Sequence, residues 1–171
     1  MLGFLKRNIR TFNSETKTNA YVAMVRSNLD YCATVLNPYQ KEQVKKIEMV
    51  QRRAACYATN RYRNTSSVGS MLEKLDWESL ENRRVKLQLT LLYTVVNDFV
   101  DIPCDTYLTR QCHREQDHYI PRSSGNIQPR LTATNTVFFP RTVTVWNSLP
   151  ATIAEAPSLV SFKRELSTLS I

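Results

Sequence analysis

Glycine is scarce in this chain: three residues in 171, Gly3, Gly69 and Gly125. Loops that cradle phosphate need several glycines at fixed offsets, because the backbone must approach the ligand closely, so the P-loop and the dinucleotide fingerprint are both excluded. A nucleotide-dependent enzyme is therefore not expected. Long apolar runs are missing too. None approaches the roughly 18 residues that a membrane helix needs, and MLGFLKRNIR at the start carries charges where a signal peptide requires an apolar stretch and a small-residue cleavage site. The expectation is a soluble, intracellular protein of the nucleus or cytoplasm, with no membrane partner. The four cysteines, Cys32, Cys56, Cys104 and Cys112, are too few and too irregularly spaced for a disulfide framework and read as reduced thiols. No two aspartates are adjacent anywhere in the chain.

Apolar residues make up 42% of the sequence, enough to bury a core within one ordinary domain length. The formal net charge is +8, and its placement matters more than its size. Residues 1–63 carry twelve Lys and Arg against four Asp and Glu, while residues 64–171 carry eleven of each. All of the excess lies in the first third, which suggests a surface that faces a polyanion.

The apolar pattern is that of a mainly α chain. Phe4, Leu5, Ile9 and Phe12 recur at helical spacing, and Asn13-Ser14 suits the cap of a second helix from about Glu15 to Asn28. After the break at Asn37-Pro38, Tyr39 to Thr59 reads as a long helix. With Lys41 set at zero on a wheel, Lys41, Lys45, Lys46, Arg52 and Arg53 fall at roughly 0° to 140°. Val44, Ile47, Ala54, Ala55 and Ala58 fall at roughly 220° to 320°, so the helix is basic on one side and apolar on the other. NRYRNTSS, residues 60–67, continues as a polar loop with Arg61 and Arg63, ending in serines that suit the cap of a short helix from Val68 to Leu75.

Glu78 to about Phe99 is expected to be the core spine, with Leu80, Leu87, Leu91 and Val95 as its stripe and Leu89, Leu92, Val96 and Phe99 widening it. From Asp101 to Asn135 the periodicity disappears and Pro103, Pro121 and Pro129 stand, as in an irregular linker with room for one short β-hairpin. VFFPRTVTVWNSL, residues 137–149, suits a strand by its β-branched and aromatic content and a helix by Pro140 in a first turn. Ser158 suits the cap of a last helix with Leu159, Phe162, Leu166 and Leu169 at helical spacing. The expected organisation is thus a helical bundle over 1–100, a linker over 101–135 and a small C-terminal helical docking piece over 136–171.

Seven segments in one order look familiar as a set: LGFLKRNIR, VRSNLDYCATVLNPY, VQRRAACYATNRY, SSVGSMLEKLDWESLENRR, LLYTVVNDFVDIP, FFPRTVTVWNSLP and APSLVSFKREL. Together they resemble the C-terminal part of reverse transcriptases encoded by jockey-like non-LTR (LINE-type) retrotransposons, over essentially the whole chain. Leu36 departs from the pattern, since the family usually has tryptophan there. The resemblance implies a position just after the catalytic palm, in the helical thumb and the segment beyond it, which grips the template and primer duplex. Polymerisation by two metal ions needs closely set carboxylates. The family supplies them as an adjacent aspartate pair in its palm, which this chain lacks. The expectation is a non-catalytic fragment of an RNA-directed DNA polymerase, whose partners are an RNA or RNA/DNA duplex and the missing palm region.

The candidate nucleic-acid contacts are Lys41, Lys45, Lys46, Arg52, Arg53, Arg61 and Arg63, held to phosphates without regard to sequence. Tyr57 and Tyr62 interleave with them and suit either stacking on a base or packing, in the core or at its rim. Cys104, Cys112, His113 and His118 lie within fifteen residues, but the seven-residue gap and the adjacent Cys112-His113 pair fit no common zinc spacing. No metal, cofactor or Cys-His nucleophile is expected, and Trp77 and Trp146 read as core anchors. Two rivals stay open: a helical protein-interaction module whose charge serves an acidic partner, and a pseudogene product without present function.

Overall fold

The computed structural model describes residues 1–31, 33, 38, 40–62, 67–110, 127–130 and 138–169, with backbone alone at 104, 105 and 110. The protein is mainly helical. In chain order the elements are α1 (Leu2–Asn8), α2 (Ser14–Tyr21), a π-helical stretch (Val22–Arg26), α3 (Ser27–Tyr31), α4 (Lys41–Thr59), α5 (Val68–Lys74) and α6 (Leu80–Val96). There follow α7 (Cys104–Tyr107), β1 (Leu108–Arg110), β2 (Ile127–Pro129), α8 (Phe138–Trp146), α9 (Ala151–Ala154) and α10 (Leu159–Thr168). The chain divides into two compact units, Met1–Arg84 and Val85–Ile171. That division falls inside α6, whereas the sequence pattern suggested a boundary near residue 100.

In the first unit, the Asn13 side chain accepts from the Thr16 N–H at 2.8 Å and starts α2, as its sequence position suggested. Ser67 precedes α5 without a side-chain capping bond; its carbonyl accepts from the Ser70 hydroxyl instead. The apolar N-terminal pattern is only partly used. Leu5 is buried, but Phe4 and Phe12 are about half exposed, because α1 stops at Asn8 and turns one face inward. The centre of the unit is α4, against which α2 and α5 pack. Ala54, Ala55 and Ala58 are fully buried there, and their small side chains permit close approach to Tyr21, Val25, Met71 and Trp77 in the same cluster. The rings of Tyr21 and Trp77 stack at 4.5 Å, a geometry that adds to plain area burial.

The second unit is built on the C-terminal part of α6. Leu89, Leu92, Tyr93 and Val96 are its buried stripe, at i, i+3, i+4 and i+7. Of the expected stripe, Leu80 and Val95 are buried and Leu87 and Leu91 only half-buried; of the set expected to widen it, Leu89, Leu92 and Val96 are fully buried, and Phe99 lies beyond the helix and is exposed. Within the stretch that suited either strand or helix, Phe138–Trp146 is a helix, with Pro140 in the first turn, where its missing N–H costs no bond, and Val137 lies outside the described residues. The hairpin forms as an antiparallel pair with Leu108 opposite Pro129 and Arg110 opposite Ile127. Leu108 and Ile127 enter the core, so part of the stretch read as linker is built into this unit. Asn147, just past α8, holds β2 by two bonds: its Nδ2 donates to the Ile127 carbonyl at 2.9 Å and its Oδ1 accepts from the Ile127 N–H at 3.1 Å. Ser158 caps α10 by accepting from the Ser161 N–H. Trp77 and Trp146 are both buried core residues.

Three buried tyrosines differ in what their hydroxyls meet. Tyr57 Oη lies 3.0 and 2.9 Å from the Leu5 and Ile9 carbonyls and donates its proton between them. Tyr93 donates to the Ala156 carbonyl at 2.6 Å. Tyr21 Oη is buried with no partner among the described residues, and burial pushes this phenol up to about 12. An unmade buried hydrogen bond costs about 1–3 kcal/mol, so Tyr21→Phe should be neutral or stabilising, while Tyr57→Phe and Tyr93→Phe should each lose about 1 kcal/mol or more in urea unfolding. The raised Tyr21 pKa favours the neutral form in the folded state. The contribution of this group to stability should therefore be intact below pH 10 and be lost between pH 10 and about 12, by up to about 1.4 kcal/mol per pH unit, and Tyr21→Phe should flatten that decline.

Candidate nucleic-acid interface

The cationic face is set by two opposite demands on one helix. Residues of α4 at roughly 220° to 320° of the wheel are pulled inward by burial, which leaves the opposite sector to solvent. Lys41, Lys45, Lys46, Arg52 and Arg53 are all exposed there, over a stretch of α4 roughly 16–18 Å long. Among the described residues, none of them takes part in an ion pair. Glu42 shares the sector in the first turn, where a carboxylate suits the positive end of the helix.

The end of α4 is fixed by a buried cation. Asn60 adopts the left-handed conformation at φ 55°, and its N–H bonds back to the Cys56 carbonyl. This is a common way to stop a helix. Lys17 of α2, 1% exposed, donates from Nζ to Asn60 Oδ1 at 2.7 Å and sits 5.1 Å from the centre of the Tyr57 ring. The chain then leaves the helix with Arg61 and Tyr62 exposed. Arg63 lies outside the described residues. The α4 cations are thus brought to one face with Arg61 just past its end, and Lys17, basic in the charge count, is not on the surface at all.

Tyr57 takes the packing alternative. Its ring is 2% exposed and its hydroxyl is engaged, so it does not present a face for stacking. Tyr62, 64% exposed, does. The sequence reading missed Met49. It is 46% exposed at roughly 80° on the wheel, ringed by Lys45, Lys46, Arg52 and Arg53 at i−4, i−3, i+3 and i+4. The same wheel carried that signal, since an apolar residue in the middle of a basic sector is out of register with the buried face.

A second cluster of arginines was not legible in advance. Arg83 Nη2 pairs with Asp30 Oδ2 at 2.7 Å. Arg84 is 4% exposed; its Nε donates to the Leu80 carbonyl, and its Nη2 stands 4.0 Å from Glu48 Oε1. Among the described residues, neither Nη1 nor Nη2 of Arg84 has a hydrogen-bond partner. Burial pulls the guanidinium below its ordinary range, and Glu48, Glu81 and Asp30 oppose that shift.

Among the described residues, no three His, Cys, Asp or Glu side chains are grouped as a metal would need. Cys112, His113, His118 and the Cys104 side chain lie outside them. No helix among them is long and apolar enough to cross a membrane. No family model, curated protein or solved structure matches the chain. The local chemistry of α4 must therefore carry the functional argument. The five cations of this helix are exposed and, among the described residues, without an ion-pair partner, an arrangement whose charge can attract an extended anion.

Proposed function

We propose that this chain is the thumb and post-thumb part of a non-LTR retrotransposon reverse transcriptase, and that it holds an RNA or RNA/DNA duplex for target-primed synthesis without catalysing a step itself. The observation that carries the proposal is the exposed set Lys41, Lys45, Lys46, Arg52 and Arg53 on one side of α4, without an ion pair among the described residues and continued by Arg61. The resemblance of the seven ordered segments supports it, as does the confinement of the net charge to residues 1–63. Arg63 belongs to the same proposed contact set by its place in the sequence. The palm of the parent polymerase is the proposed protein partner.

The test is binding of fluorescent RNA/DNA hybrid, duplex DNA and single strands, titrated over salt. Log affinity should fall linearly with log salt, with a slope near 0.9 in magnitude per phosphate neutralised on duplex DNA, and different sequences should bind alike. The same protein should show no nucleotide incorporation on a primed template with magnesium or manganese, because the carboxylates for two metals are missing. Salt-insensitive binding, or extension that survives stringent purification, would overturn the proposal. One observation favours a rival. Met49 in the middle of the cations also suits an acidic peptide with an apolar residue, so an amphipathic acidic peptide that outcompetes duplex would assign the face to a protein.

A further inference from the structure

Among the described residues of the proposed contact set, Arg61 alone is not carried by α4. The helix itself places Lys41, Lys45, Lys46, Arg52 and Arg53, whereas Arg61 follows its last turn and depends on how the chain leaves. Two features fix that exit. Asn60 stands at φ 55°, and the Cys56 carbonyl accepts from the N–H groups of both Asn60 and Arg61, the latter at 3.2 Å. The Asn60 side chain is in turn held from α2, with Lys17 Nζ at 2.7 Å from its Oδ1.

Lysine is an unusual residue for that task. Lysines are almost never fully buried unless paired, yet Lys17 is 1% exposed and has no carboxylate partner among the described residues. Three groups stand in for the carboxylate: the amide oxygen of Asn60, the Tyr57 ring 5.1 Å away, and the negative end of the α4 dipole. All three belong to the last turn of α4 or the residue after it. Docking α2 on α4 does not need a charge here, because an apolar side chain of similar length fills the space without desolvating an ammonium.

We infer that Lys17 is a positioning residue: from inside the first unit it holds Asn60, and so sets Arg61 on the proposed duplex-facing surface beside the cations of α4. The inference rests on the duplex-binding reading. It gives Lys17 a part in binding although its enclosed ammonium reaches no phosphate itself.

Asn60→Gly is the discriminating variant. Glycine accepts the left-handed end of the helix and changes no charge, but it removes the acceptor for Lys17. The experiment measures binding of a fluorescent duplex DNA to the full chain over a salt series, for wild type, Arg61→Gln, Asn60→Gly, Lys17→Met, and Asn60→Gly combined with Arg61→Gln. Arg61→Gln should lower the slope of log affinity against log salt by up to roughly 0.9 in magnitude. Asn60→Gly and Lys17→Met should each lower it by about as much, and the combined variant should lose no more than Arg61→Gln alone, since all remove the same contact. If Lys17→Met does not fold, Asn60→Gly still decides. A bond that only docks α2 on α4 gives another pattern: Asn60→Gly lowers the melting temperature and keeps the wild-type slope. That pattern, additive losses in the combined variant, or a wild-type slope in Arg61→Gln would each overturn the inference and leave the duplex reading standing. Salt-insensitive binding by the wild type would instead overturn the duplex reading, and the inference with it.

Discussion

Replacing Lys41, Lys45, Arg52 and Arg53 together by glutamine is expected to leave the helical circular dichroism unchanged and to cut the salt dependence of duplex binding sharply. The slope of log affinity against log salt should fall by roughly 0.9 for each phosphate contact removed from duplex DNA. The fold should survive for two reasons. All four side chains are exposed and none takes part in an ion pair among the described residues, and glutamine is nearly as good a helix former as lysine or arginine. Lys163→Gln with Arg164→Gln on the exposed side of α10 is the control for general charge; that pair should leave the slope near its wild-type value. A fourfold variant that binds duplex with wild-type salt dependence would remove α4 from the contact surface. Ala54→Asp addresses the other side of the same helix and should destabilise the first unit, because it places a charge at a fully buried position of the core.

Phe162→Ala should be the most damaging single truncation in the second unit, at about 3–5 kcal/mol in urea unfolding. Phe162 is fully buried, and its ring stacks at 4.3 Å on Tyr93 and at 5.8 Å on Trp146. Removing it takes a partner from two aromatic rings at once and leaves a cavity between α6, α8 and α10 that their backbones cannot close. Val160→Ala, two residues away at a position 78% exposed, should stay within about 0.5 kcal/mol of wild type. A Phe162→Ala loss no larger than that of Val160→Ala would mean that the aromatic cluster does not organise this unit.

Much of this fold was legible because its signals are local. Asn13 and Ser158 sit before apolar periodic runs and do cap α2 and α10, and the two-sided pattern of α4 orients that helix without knowledge of its neighbours. What was not legible depends on partners distant in sequence. Nothing near Phe4 or Phe12 says that the chain turns them outward, and nothing near Leu87 says that Leu89 and Tyr93 will take the centre of α6. The Tyr57 hydroxyl reaches carbonyls some fifty positions earlier, which decides its role against stacking. Arg84 is the clearest case: within the sequence it is one of two adjacent arginines in an amphipathic helix, and only the folded unit shows it enclosed, 4.0 Å from Glu48.

The two bonds from Asn147 to Ile127 have a consequence for how the hairpin meets other chains. In an antiparallel pair, alternate residues turn their polar backbone groups inward to the neighbouring strand and outward. The Arg130 N–H bonds to the Tyr107 carbonyl across the pair, so in β2 Ile127 and Pro129 face outward. The donor of Ile127 is taken by Asn147, and Pro129 has none. The outer border of β2 thus offers no vacant N–H to a passing strand, which is the feature that edge-to-edge aggregation requires. A side chain and an imino acid together do on this edge what a third strand would otherwise do.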